Sequence, residues 1–175
     1  MNLFLIGFRC TGKTTIAQFI AETLDWSFVD ADTMLIGECG KNIEDIVNIE
    51  GWEAFRWRER ETLRQICTKN RQVVATGGGV VLNADNITVM RASGIIIGLG
   101  ASAETIRQRM LQDEKTRAFR PALTDKGSLA EIEDLLSERS PYYKSASDFF
   151  IHTDGISPVE IAQTILKKIK HRLGE

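Results

Sequence analysis

The sequence predicts an α/β fold, with a parallel sheet covered by helices on both sides. Three observations carry that expectation. Short apolar runs at residues 3–6, 27–29, 73–75, 95–99 and 149–151 alternate with stretches of helical spacing. The runs, above all Ile95-Ile96-Ile97-Gly98-Leu99, lack polar alternation, as strands buried on both faces do. Finally, three groups suited to ligand chemistry stand just beyond the first three runs, where open parallel sheets gather their ligands.

The elements follow in chain order. Strand one is Leu3–Ile6, and a helix covers 13–24 with Ile16, Phe19, Ile20 and Leu24 as its core stripe. Asp25 and Trp26 break away, and Ser27-Phe28-Val29 forms strand two. After Asp30-Ala31-Asp32 a helix runs to about Cys39, with Gly40 as its stop. A short helix from Lys41 or Asn42 ends near Gly51, and a longer one covers about 52–69. On the longer helix Trp52, Phe55, Glu59, Leu63 and Ile66 fall near one face, beside a basic stripe of Arg56, Arg60 and Arg64. Like charges at that spacing repel, so the stripe calls for acidic neighbours or anionic ligands.

Strand three, Val73-Val74-Ala75, runs into Thr76-Gly77-Gly78-Gly79. A helix over about 84–93 is stopped by Gly94, strand four covers 95–99, and Ser102 caps a helix carrying Ile106, Met110 and Leu111. The charged stretch 113–127, broken by Pro121 and Gly127, reads as a mobile lid. Ser128 caps a helix through about Ser140, where Pro141 is expected to end it. Phe149-Phe150-Ile151 is strand five, and Pro158 opens a last helix with a basic end.

The 175 residues suit a single domain with a sizeable core. Apolar content of 43%, charged content of 26% and a net charge of −2 are those of a globular protein with no general attraction to nucleic acid or anionic lipid. The three unpatterned cysteines, Cys10, Cys39 and Cys67, suit a reducing cytoplasm, and neither a signal peptide nor a run of transmembrane length is visible.

The strongest motif is Gly7-Phe8-Arg9-Cys10-Thr11-Gly12-Lys13-Thr14, which matches the phosphate-loop pattern between a strand and a helix. Glycines let the backbone bend so that successive N–H groups face an anion, and the helix start adds unpaired N–H groups and the positive end of its dipole. Lys13 supplies a charge for the outer phosphates, and the Thr14 hydroxyl is a ligand for Mg²⁺. Asp30 and Asp32 are either caps of the next helix or a pair of carboxylates dividing metal and proton-transfer tasks. Three consecutive glycines, Gly77–Gly79, are entropically costly and favour a place where a ligand lies against bare backbone. Arg56, Arg120 and Arg139 are each suited to forked binding of carboxylate or phosphate.

Together these motifs resemble the shikimate kinase family. The matching pieces are Gly7–Thr15, Phe28–Asp32, Glu53–Arg56, Thr76–Gly79, Arg120-Pro121 and Arg139–Tyr143, in order along almost the whole chain. The resemblance implies the nucleoside-monophosphate-kinase type of fold for the chain as one domain, with parallel strand order 2-3-1-4-5 and a lid near 113–127. It implies transfer of the γ-phosphoryl of MgATP to the 3-hydroxyl of shikimate. Under it, Cys10, Thr11, Gly12, Lys13, Thr14 and Thr15 hold the ATP phosphates, with Arg109 on the nucleotide side and Arg120 brought in by the lid. Thr14 and Asp30 serve Mg²⁺, Asp32 binds the acceptor and takes its proton, Arg56 and Arg139 clamp its carboxylate, and Gly77, Gly78 and Gly79 pack against it. A monomer acting on ATP and shikimate, without nucleic acid or membrane, is the corresponding expectation. Departures from the family pattern are Arg9 in the loop, Ala122 in the lid and Ile156 after strand five. The rivals are a gluconate or other small-acceptor kinase of the same fold and a non-catalytic nucleotide-binding module. Against the module, the chain has no Asn-Lys-x-Asp motif for guanine.

Overall fold

Five strands form one parallel sheet in the order β2-β3-β1-β4-β5 in the computed structural model, which describes residues 1–112 and 129–173. The elements are β1 (Asn2–Gly7), α1 (Lys13–Leu24), β2 (Ser27–Asp30), α2 (Ala31–Cys39), α3 (Ile43–Cys67), β3 (Gln72–Ala75), a 3-10 turn (Val80–Leu82), α4 (Ala84–Ser93), β4 (Gly94–Gly100), α5 (Ala103–Gln112), α6 (Leu129–Ala146), β5 (Phe149–His152) and α7 (Pro158–Leu173). The strand order is the one the family resemblance implied. The lid expected at 113–127, with Arg120 in it, and the Ser128 cap lie outside the described residues.

The unalternated strands are explained by two cores, one per face. Leu3, Leu5, Val73, Ala75, Ile95, Ile97 and Leu99 pack on Ile16 and Ile20 of α1 and on Ile161, Ile165 and Ile169 of α7. The intervening Phe4, Ile6, Val74 and Ile96 face Leu63 and Ile66 of α3, Met90 of α4, Ile106 of α5 and Tyr143 of α6. Each fully buried Ile or Leu contributes roughly 1.5–3 kcal/mol. A third, smaller cluster of Leu35, Ile43, Ile46 and Phe55 joins α2 to the two halves of α3. Its lobe forms one wall of the site described below.

Local signals act as expected at several ends. Gly40 closes α2 in the left-handed region at φ 63 and Gly94 closes α4. Gly51, at φ 86 and ψ 167, bends α3 into a short and a long helix, as the two-helix reading anticipated. Ser102 accepts from the Thr105 amide, and a reciprocal Ser157–Glu160 capping box starts α7. The arginine stripe of α3 has its acidic neighbours: Arg56 pairs with Glu59, Arg64 with Glu61, and Arg60 with Glu61 and Asp85.

Two expectations are corrected. Phe19 is 37% exposed, and the core stripe of α1 is Ile16, Ala17, Ile20 and Ala21 because the small alanines let the helix lie close to the sheet. Pro141 does not end its helix; α6 continues to Ala146. An internal proline costs a helix about 3 kcal/mol. Beyond it, Tyr143 and Ala146 are buried in the core and Tyr143 donates to the Gly78 carbonyl, which offsets that cost.

Candidate active site

The phosphate loop leaves β1 at Gly7 and enters α1 at Lys13. Gly12 takes φ 91 and Cys10 takes φ 59, so two left-handed residues curl the chain. Thr11 is buried and its hydroxyl donates to the Phe8 carbonyl at 2.8 Å. Lys13, expected as a mobile charge, is 6% exposed and donates to the Gly7 and Phe8 carbonyls at 2.9 and 2.8 Å. A buried ammonium requires such acceptors, and its fixed position keeps positive charge inside the loop. Thr14 and Thr15 are exposed on the first turn of α1, where helix N–H groups lack intrahelical partners.

Beside the loop, Thr14 Oγ1 donates to Asp30 Oδ2 at 3.0 Å. Asp30 Oδ1 accepts from the Thr33 amide at 3.1 Å, so this aspartate caps α2 and faces the phosphate loop at once. The two sequence readings of Asp30 are thus compatible. Among the described residues no cluster of three or more His, Cys, Asp or Glu is poised for a metal. Thr14 and Asp30 form a sparse, hard-oxygen pair, the donor set that suits Mg²⁺, which keeps waters and takes its remaining ligands from phosphates.

The third group is a cleft, open to solvent, between the phosphate loop and the α2–α3 lobe. Its charged lining is Arg9, Asp32, Arg56, Glu59 and Arg139, and Phe8, Ile43, Trp52, Phe55 and Gly77–Gly79 complete it. Arg56 donates to Glu59 at 2.7 Å and stacks near the rings of Trp52 and Phe55, at 5.4 and 5.1 Å. Arg139 sits 6.0 Å from the Phe8 ring, and its buried Nε has no hydrogen-bond partner. Two guanidinium groups of positive charge therefore meet across a partly apolar cleft, an arrangement suited to an organic carboxylate.

The triple glycine serves this cleft through space rather than through dihedral freedom, since none of the three has positive φ. A Cβ on Gly77 would lie 2.8 Å from both Asp32 Oδ1 and Glu59 Oε1, and one on Gly79 would collide with the Arg56 guanidinium. Gly78 is held from behind by the hydroxyl of Tyr143, whose pKa burial pushes up to about 12, so it stays a donor at neutral pH. The bare backbone expected for a ligand is thus in large part room for the cleft's own charged side chains.

Arg109, on α5, spans from the Cys10 carbonyl at 3.1 Å to Thr153 at the end of β5, with its two other bonds at 3.1 and 3.0 Å. The loop residues, Asp30, Asp32, Arg56, Gly77–Gly79, Arg109 and Arg139 are thereby brought to one end of the sheet, and Arg120 lies outside the described residues.

Sequence reasoning missed Glu59 as a member of the site. It is 7% exposed, and burial raises its carboxyl pKa above the ordinary value while the adjacent Arg56 pulls it down. One signal was available: an acid on the apolar face shared by Phe55, Leu63 and Ile66. It was also silent on Tyr143 as the support of Gly78.

The family model described as shikimate kinase matches residues 9–170. The shikimate kinase of Caldicellulosiruptor bescii is 40% identical over 94% of this chain and 93% of its own, and that of Thermodesulfovibrio yellowstonii is 39% identical over 95% and 94%. Among solved structures, shikimate kinase from Acinetobacter baumannii in complex with shikimate superposes with a TM-score of 0.90 at 31% identity, covering 98% of this chain and 93% of that one.

Proposed function

This chain belongs to the shikimate kinase family, ATP-dependent enzymes that phosphorylate shikimate, and on that premise we propose how its residues divide the work. The reaction transfers the γ-phosphoryl of ATP to the 3-hydroxyl of shikimate, giving shikimate 3-phosphate and ADP. The observation that best supports the division is the convergence of Arg56, Arg139 and Asp32 on one cleft beside the phosphate loop.

Arg56 and Arg139 hold the acceptor's carboxylate, Glu59 keeps the Arg56 fork in place, and Gly77–Gly79 leave room for the ring. Asp32 accepts the proton of the attacking hydroxyl as the oxygen–phosphorus bond forms and the bond to the ADP oxygen breaks. The loop residues Cys10 to Thr15, with Lys13 at their centre, hold the transferring and leaving phosphates. Thr14 and Asp30 would hold Mg²⁺, which would supply neutralisation of phosphate charge when bound with ATP. Arg109 serves the nucleotide side, and Arg120 is assigned to the ATP phosphates. Placement and charge neutralisation thus supply most of the rate.

The whole chain acts as one kinase domain and as a monomer in the cytoplasm, without nucleic acid or membrane. Supporting this reading, all three cysteines are free, and no helix among the described residues is long and apolar enough to cross a membrane. A coupled assay of ADP release across shikimate, gluconate and a nucleoside monophosphate tests the acceptor. Turnover should be confined to shikimate; equal turnover of gluconate would overturn the carboxylate-clamp reading as specific to shikimate.

A further inference from the structure

We propose that Arg109 is a positioning residue of the phosphate loop. It holds the Cys10 carbonyl and so aims the Thr11 amide at the phosphates. The inference rests on the reading above that this loop binds ATP.

Cys10 adopts φ 59, a left-handed conformation that a residue with a Cβ avoids. The penalty is equivalent to about tenfold in population. Gly12, the other left-handed residue of the loop, bears no such penalty. A strained residue of this kind persists only where its surroundings over-determine it. Within the loop, Thr11 donates to the Phe8 carbonyl and Lys13 to the Gly7 and Phe8 carbonyls. Arg109 reaches the Cys10 peptide itself, across 99 positions of sequence, at 3.1 Å. Its guanidinium is anchored behind by the Thr153 hydroxyl and carbonyl. Thr153 is buried, and its own amide donates to Gly100 at 2.8 Å, so the strut is footed on the ends of β4 and β5.

Peptide geometry turns this contact into a directional device. No peptide bond among the described residues is cis. In a trans peptide the carbonyl and the next N–H point in opposite directions. Drawing the Cys10 oxygen toward α5 therefore turns the Thr11 N–H away from α5, toward the anion that the loop encloses.

Calorimetric titration of the full chain with magnesium tripolyphosphate, which carries no base, isolates this effect. Arg109→Ala should weaken tripolyphosphate binding by about tenfold. Adding Cys10→Gly to Arg109→Ala should restore most of it, because glycine holds the left-handed conformation without a strut. Loss of a direct contact between Arg109 and the ligand would not be rescued in this way. Thr153→Val, which loosens the anchor and leaves the guanidinium, should weaken binding in the same direction by less, and it serves if Arg109→Ala does not fold. Unchanged affinity in Arg109→Ala or in Thr153→Val, or an Arg109→Ala loss that Cys10→Gly does not recover, would overturn the strut. A wild-type chain that does not bind tripolyphosphate would overturn the phosphate-loop reading and the strut with it.

Discussion

The phosphate loop and the acceptor cleft share a wall and are built in opposite ways. The loop is one continuous stretch with backbone amides as its proposed working groups, and the Lys13 ammonium is held by carbonyls five and six residues away. The cleft has little backbone of its own to offer. Asp32 comes from α2, Arg56 and Glu59 from α3, the glycines from the turn after β3, and Arg139 from α6. Its charges hold one another, as Glu59 does Arg56. A site made of backbone depends on dihedral angles at a few positions, and a site made of side chains depends on every partner being present.

Substitutions should therefore separate the two regions cleanly. The largest effect is expected from Asp32→Asn, which removes the proposed proton acceptor and leaves the loop intact. Turnover should fall on the order of a hundredfold to ten-thousandfold with ATP affinity unchanged, by steady-state kinetics and calorimetry. An unchanged kcat would remove Asp32 from that role. Arg139→Ala comes next, with shikimate affinity falling about tenfold to a hundredfold and nucleotide affinity holding, since a charge-assisted pair is lost. Equal losses for both ligands would mean that the two regions are one unit.

Glycine substitutions sharpen the contrast because each acts by a different mechanism. In Gly79→Ala the new Cβ collides with Arg56, so the KM for shikimate should rise about tenfold. In Gly12→Ala the strain is dihedral, at φ 91, and ATP affinity should fall about tenfold with shikimate binding spared. A reversed pattern would refute the division.

The smallest effect is a pH dependence of stability. Burial raises the Glu59 pKa above its ordinary 4.5 in the folded protein. The folded state then holds this proton more tightly than the unfolded chain, and the stability it contributes is lost as pH rises from 4.5 through the raised value. Glu59→Gln lacks that dependence, so wild type should lose stability relative to the variant as pH rises above 4.5 in urea unfolding. Parallel pH profiles would refute the raised Glu59 pKa.

Much of this was legible in residue order. The alternation of strands and helices, the stops at Gly40 and Gly94, the break at Gly51 and the phosphate loop all rest on neighbours within a few positions, so local sequence suffices to read them. Strand order was anticipated through family resemblance, not through spacing alone, and the roles proposed for the site residues rest on that resemblance as well. What only the tertiary structure decided depends on partners far along the chain. Pro141 is accommodated inside a helix because Tyr143 is buried and bonded to Gly78, 65 positions earlier. Glu59 pairs with Arg56 three residues earlier on the same helix, but its place in the cleft depends on Gly77, whose missing Cβ leaves room for its carboxylate. Cys10 is held in a conformation its residue type disfavours by an arginine on α5. The costs at Pro141 and Cys10 are local, and the contacts that accompany them form only once the chain has folded, so the neighbouring sequence carries no sign of them.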